Sequence, residues 1–243
     1  MKAMLEVDEH HWWYRGRRRI VRTELDRLPL PDAAGVLDAG CGSGRTLQEL
    51  VDYGEVSGIE LDPDAAEVAA STGYGEVLVG RLEELPWEDE TFDLITCLDV
   101  IEHTPDDRLT LTELRRVCKP GGWLLVTVPA YQALWSLHDV ANHHYRRYGR
   151  RSLRRAAVET GWRINRVTSF NSVLLPPAAV VRLAQRRRGP DSDYTPQLEL
   201  GPAWLNEVLE RPLRLEARWL ARGGTLPAGL SLLAVLSKPR PFE

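Results

Sequence analysis

Cysteine is scarce in this chain of 243 residues: Cys41, Cys97 and Cys118 are all it has, an odd number with no CxxC pair. A disulfide framework or a zinc knuckle is therefore not expected, and a reducing, cytoplasmic compartment fits best. Long hydrophobic runs are lacking as well. The longest, SVLLPPAAVV (172–181) and GLSLLAVL (229–236), fall short of the roughly 20 residues that span a bilayer. The opening MKAMLEVDEHHWWYRGRRR has no apolar core of a signal peptide. Nor is there a basic excess: 31 Lys and Arg stand against 35 Asp and Glu, a net charge of −4, which argues against a general nucleic-acid binder. No internal repeat is visible.

What is present is the composition of an ordinary folded domain, 43% hydrophobic and 27% charged. Residues 5–28 read as a Trp- and Arg-rich helix ended by LPLP. Short apolar strands then alternate with helices. GVLDA, VSGIEL, GEVLVG, FDLITCLDV and WLLVTVP are the strands, and RTLQELVDYG, PDAAEVAAST and DRLTLTELRRVC the helices, the last stopped by KPGG. That alternation implies βαβ units and a parallel sheet. Beyond it, RRSLRRAAVETG reads as a helix, WRINRVTSF as a strand, and 186–197 as a polar, mobile loop. AWLNEVLERPLRLEARWLA is a helix kinked at Pro212, and GLSLLAVLSKP a final strand.

The sharpest chemical signal is LDAGCGSGR, Leu37–Arg45. Gly40, Gly42 and Gly44 let the backbone turn tightly and approach a ligand where a Cβ would collide. Glu60, about twenty residues on at the end of the second strand, can accept both hydroxyls of a ribose. Loop, acid and strand context together are a nucleotide-type site, although the G-x-G-x-x-G of dinucleotide folds is absent.

These residues resemble the class I S-adenosylmethionine-dependent methyltransferases of small-molecule type. LEELPWEDETFDLITCLDVIEHTPD (82–106) looks like that family's LP-W, FD and DVIEH signature, and ELRRVCKPGG, ETGWRI and GLSLLAVLSKP match the segments that build its last three strands. The resemblance covers nearly the whole chain and speaks for fold and cofactor, not substrate. It implies an α/β fold: a Rossmann-like, doubly wound, seven-stranded sheet, mostly parallel with one antiparallel strand and with helices on both faces. It implies S-adenosyl-L-methionine as cofactor and S-adenosyl-L-homocysteine as product. By position, Asp38, Gly40, Cys41, Gly42 and Gly44 would form the methionine side of the pocket, with Glu60 on the ribose and Leu61 flanking the adenine. The family's adenine-binding Asp is replaced by Arg81, a donor only, so adenine contact falls to Leu82 and Glu83. Leu98 and Asp99 would line the methyl-donor side, and His103 would tie the loop to the sheet.

Methyl transfer from a sulfonium needs alignment, water exclusion and, for a protonated acceptor, a base. The stretch LWSLHDVANHHYRRYGRRSL (134–153) follows the fifth strand, at the edge where such sheets bind ligands. His138 with Asp139, or His143 with His144, could supply base and orienting acid; one buried and one solvated histidine on a charged helix is the bland reading. The spacing H-D-x-x-x-H-H matches no standard metal site, so no metal is expected. Tyr131, Trp135, His144, Arg147 and Tyr148 are candidates for the acceptor pocket, and Trp12, Trp13, Tyr14 and Arg18 for a lid, with Arg18 on the methionine carboxylate. Residues 1–30 would be the lid helix and 31–243 the cofactor domain, with acceptor-site insertions near 129–150 and 171–226.

The expected activity is methyl transfer to an oxygen or nitrogen of a small polar molecule, heteroaromatic or anionic, in a biosynthetic or natural-product pathway. The partners expected are that small-molecule acceptor and no membrane or nucleic acid, in a monomer or homodimer. The alternatives are an RNA or protein methyltransferase using the arginines at 146–155, and a non-catalytic S-adenosylmethionine-binding protein.

Overall fold

Seven strands lie in one sheet, side by side in the chain order third, second, first, fourth, fifth, seventh, sixth. The computed structural model describes residues 9–188 and 202–241. Its strands are β1 (Gly35–Ala39), β2 (Glu55–Glu60), β3 (Glu76–Val79), β4 (Phe92–Leu98), β5 (Cys118–Pro129), β6 (Arg163–Phe170) and β7 (Ser231–Ser237). β1 to β5 run parallel, and β7 is antiparallel to both its neighbours, β5 and β6. The expected fold class is therefore the observed one.

Both sheet faces are covered. Alternating strand residues serve two cores, because successive side chains point to opposite faces. On one face Leu37, Ile95, Val126 and Ala234 pack with Leu111 and Leu114 of α4 (Asp107–Val117) and Leu153 and Ala156 of α6 (Arg150–Glu159). On the other, Val36, Leu94, Leu125 and Leu233 meet α1 (Trp12–Leu25), α2 (Arg45–Leu50) and α8 (Ala203–Ala221). α1 and α8 also pack closely on each other. Gly16 sits at that contact, where a Cβ would lie 2.2 Å from Leu213 Cδ1.

Local chemistry sets the boundaries. His11 caps α1, its side chain accepting from Trp13 N, so the helix is shorter than the 5–28 expected; residues 1–8 lie outside the described part. Pro63 opens α3 (Pro63–Ser71), with Asp62 as its cap. The KPGG after α4 is no loop: β5 starts at Cys118 and carries those residues as an irregularity between Phe92 and Leu94, with Gly121 at φ +81°. α7 (Leu175–Arg188) is a helix that an apolar run with two prolines had hidden, and those prolines sit in its first turn. It takes in residues 186–188 of the expected polar loop; 189–197 lie outside the described residues. α8 continues through Pro212 as one helix.

This order puts the topological switch at β1, whose neighbours are β2 on one side and β4 on the other. Open α/β sheets bind ligands outside the carboxyl ends of their strands at such a switch. The loops after β1, β2, β4 and β5 meet there.

Candidate active site

The first wall is the glycine loop. Gly40, Gly42 and Gly44 have φ of +80°, +55° and +83°, a region that suits glycine. A Cβ at Gly40 would lie 2.5 Å from Val100 Cγ2, and one at Gly44 2.7 Å from Ala69 Cα, whereas one at Gly42 would meet nothing within 4 Å. The outer glycines seat the loop against the fold and the middle one faces open space. Gly40 N and Cys41 N both donate to Ile59 O, at 2.8 and 3.1 Å, lashing the loop to β2. Asp38 is buried at the end of β1 and accepts from Thr96 Oγ1 at 2.7 Å.

Glu60 joins the loop directly. Its Oε2 accepts from Gly42 N at 2.9 Å, and its Oε1 from Leu61 N at 2.8 Å and Asp62 N at 3.1 Å. Leu61 is exposed beside it, and Leu82 is buried. Arg81 turns to Glu83, 3.6 Å away.

The second wall follows β4. Leu98 is buried, and Asp99 takes φ +58°, a conformation a non-glycine residue rarely adopts. Arg17 reaches across from α1 to this turn, its Nη1 2.8 Å from Asp99 Oδ2 and 3.4 Å from Leu98 O. Arg18 instead pairs with Glu49 at 3.0 Å. The arginine placed at this edge is thus Arg17, one residue from the one expected; both stand in the RGRRR run, and only the helical face separates them. Trp13 stacks on Phe170, centroids 5.7 Å apart at 9°. Trp12 N donates to Asn206 Oδ1, and Tyr14 lies beneath the Arg17 guanidinium at 5.4 Å. Both tryptophans pack on the α1–α8 core.

The third wall is the segment after β5. Tyr131 takes φ +61° and its N donates to Tyr148 O, so the chain from 131 to 148 closes on itself. Tyr145 N donates to Glu102 O, tying it to the turn after β4. Inside, Asp139 is fully buried and saturated. Ser136 N and Oγ, Arg147 Nε at 2.6 Å and a ring nitrogen of His144 at 2.9 Å all converge on its carboxylate. Burial opposes its charge, but the His144 and Arg147 hydrogen bonds outweigh that and hold it well below the usual carboxylate range. Arg147 also donates to Ala130 O. The pairings expected here are thus corrected. Asp139 is hydrogen-bonded to His144, with its other partners Ser136 and Arg147, while His144 packs edge-on to His103, centroids 4.5 Å apart. His143 is exposed at φ +56°. Tyr148 is buried with its hydroxyl on Asp107, so it serves the core and not a pocket wall. Trp135 is half-buried.

His138 lies on α5 (Leu137–Ala141), its pKa lowered by burial and then by the nearby Arg182. His103 reaches the surface, yet the loss of water from its packed side and the nearby His144 lower its pKa. Both imidazoles are therefore neutral at pH 7. Burial pushes all three thiols up, Cys118 to about 12, so none is a thiolate nucleophile. Glu102, quoted within DVIEH yet not singled out, is buried at the junction of the second and third walls. Its position became visible only once the loops after β4 and β5 met.

A doubly wound sheet with a glycine loop and an acid at its switch point defines a nucleotide-type α/β domain. Residues 37–126 match the family described as methyltransferase domain. A ubiquinone biosynthesis O-methyltransferase of Thiobacillus denitrificans is 32% identical over 130 residues, 47% of this chain and 56% of that protein. The chain spans 33% to 56% of the length of such curated relatives. The phosphoethanolamine N-methyltransferase 2 of Haemonchus contortus, solved with S-adenosyl-L-methionine, superposes with a TM-score of 0.61 at 19% identity, over 91% of this chain and 52% of that one. The [4+2]-cyclase SpnF superposes at 0.58 with 19% identity, over 91% and 82%. The fold alone does not select the chemistry.

Proposed function

We propose that this protein transfers a methyl group from S-adenosyl-L-methionine to an oxygen or nitrogen of a small polar acceptor, heteroaromatic or anionic, in a biosynthetic pathway. One observation carries the reading: Glu60 and the Gly40–Gly44 loop are a single hydrogen-bonded unit at the switch point, with Gly42 turned to open space. The ribose hydroxyls would lie on Glu60, the methionine part along Asp38 and the loop, and the adenine between Leu61, Leu82 and Glu83. Leu98, Asp99 and Arg17 would close the methyl-donor side, and α1 would be the lid over it.

The acceptor heteroatom attacks the methyl carbon in line, the S–CH3 bond breaks, and S-adenosyl-L-homocysteine leaves. A proton lost by the acceptor would pass to His138, which is neutral and thus able to take it. Asp139 is a positioning residue here, since its oxygens are already taken by Ser136, His144 and Arg147.

The RNA and protein alternative is weakened by where the arginines go. Arg146 lies on Asp107 at 3.1 Å, Arg147 on Asp139, Arg150 on Ser169 and Arg155 on Glu159. Among the described residues, Arg151 and Arg154 alone of the arginines at 146–155 have no such acid or hydroxyl partner, which is a poor track for a phosphate backbone. Among the described residues no helix is long and apolar enough to cross a membrane.

The test is a methyl-transfer assay over phenolic, catecholic and heteroaromatic amine acceptors, with release of S-adenosyl-L-homocysteine as readout. Turnover on at least one of them, lowered about 100-fold or more in His138→Ala, is the expected result. Binding of the cofactor with no turnover on any acceptor would favour the non-catalytic alternative.

A further inference from the structure

The turn after β4 and the loop after β5 bring together three side chains that the methyl-transfer reading leaves unused. One ligand atom each from Glu102, His103 and His144 lies within 4.8 Å of the others. The geometry points to a divalent transition-metal site made of these two imidazoles and one carboxylate.

The chemistry of the set comes first. Two histidines and a glutamate are the three-ligand set of catalytic zinc centres, and of related iron and manganese ones, with a further position left for water or substrate. Metal–nitrogen and metal–oxygen bonds of about 2.1 Å place ligand atoms roughly 3.4 Å apart in a tetrahedron. The three ligand atoms, all within 4.8 Å of one another, are close to that spacing.

Three further observations converge on the same point. Glu102 is 1% exposed and its Oε2 has no hydrogen-bond partner; a buried carboxylate oxygen without a partner is costly and calls for a cation. His144 gives one ring nitrogen to Asp139 at 2.9 Å, leaving the other for a metal. His103 is hydrogen-bonded to the backbone of Asn142, which likewise orients its ring. Metal-bound histidines almost always have such an oxygen partner on their second nitrogen. Asp139 is itself clamped by Arg147 and Ser136, so the orienting group is rigid. His103 is exposed, which provides an entry path.

The expectation of no metal rested on spacing inside 138–144. The ligand set instead crosses two loops far apart in sequence, and only His144 belongs to that stretch. The site is next to Asp99, so an oxygen anion bound in the open position would sit on the acceptor side. That last step rests on the methyl-transfer reading; cation binding does not.

The test titrates the purified full chain with Co2+, followed by its visible absorption, and with Zn2+ by calorimetry. One cation per chain is expected, with affinity lowered at least tenfold in Glu102→Gln and in His103→Asn, and unchanged in the exposed neighbour His143→Asn. His103→Asn alters a side chain that reaches the surface, and its melting temperature is measured alongside, so its result stands if Glu102→Gln does not fold. Equal affinity in the wild type and in His103→Asn, or no cation bound by a chain that still binds S-adenosyl-L-methionine, would overturn the site. Failure to bind S-adenosyl-L-methionine with cation binding intact would strike the methyl-transfer reading alone.

Discussion

The loop after β1 and the loop after β5 end at the same sheet edge but are held by opposite means. In the first, backbone groups do the work: Gly40 N and Cys41 N bond to β2, and Gly42 N bonds to Glu60. In the second, side chains do it, converging on one buried carboxylate, Asp139. A backbone-built loop tolerates almost any side-chain chemistry provided no Cβ intrudes. A side-chain-built loop depends on particular acids and bases, and so can carry the specificity that differs from one enzyme to the next.

The largest expected effect breaks the second loop. Asp139→Ala leaves Arg147 buried without its partner and should cost about 3–5 kcal/mol of stability in chemical denaturation. A loss below about 1 kcal/mol would mean that the clamp is not the loop's keystone. In the first loop the cost should follow the Cβ contact. Gly40→Ala, at φ +80° and 2.5 Å from Val100, should lose about 2–3 kcal/mol. Gly42→Ala, at φ +55° with nothing within 4 Å of the added Cβ, should lose only about 1–2 kcal/mol. Equal losses would show that conformation alone, not packing, sets the glycine requirement.

Smaller effects separate neighbours on α1. Trp13→Leu should lose about 1 kcal/mol with the Phe170 stack. Smallest is the pH response. His11, His103 and His138 all have folded-state pKa values below the usual 6.5. The unfolded chain therefore binds more protons between those values and 6.5, so stability should fall as pH drops through that window. Asp139, held below its ordinary value, contributes stability that is present above about pH 4 and lost only further down. A melting temperature that rises on going from pH 7 to 6 would contradict the histidine assignment.

The same contrast explains what could be read from the residues alone. Strand–helix alternation and the Gly40–Gly44 loop with Glu60 depend on local chemistry, so the fold and the joining of that loop to the end of β2 were legible. Pairings across the sheet edge were not. His138 and Asp139 are adjacent in sequence, but a helix turns them apart, and the capping of α5 by Asp139 brings its carboxylate to His144. Arg17 and Arg18 are likewise neighbours whose helical positions send one to Asp99 and the other to Glu49. Glu102 and His103 meet His144 only through the adjacency of β4 and β5. KPGG reads as a turn because glycine and proline do so in isolation, yet a bulge can absorb them.

Calorimetric binding of S-adenosyl-L-homocysteine tests the central claim most directly, that the backbone-built wall holds the cofactor and the side-chain-built wall does not. The wild type should bind one molecule per chain. Glu60→Ala should weaken binding by about 30-fold or more, the loss of roughly 2–3 kcal/mol of hydrogen bonds to a charged group, while His138→Ala should bind as the wild type does. No binding by the wild type, or an equal loss in both variants, would contradict the account.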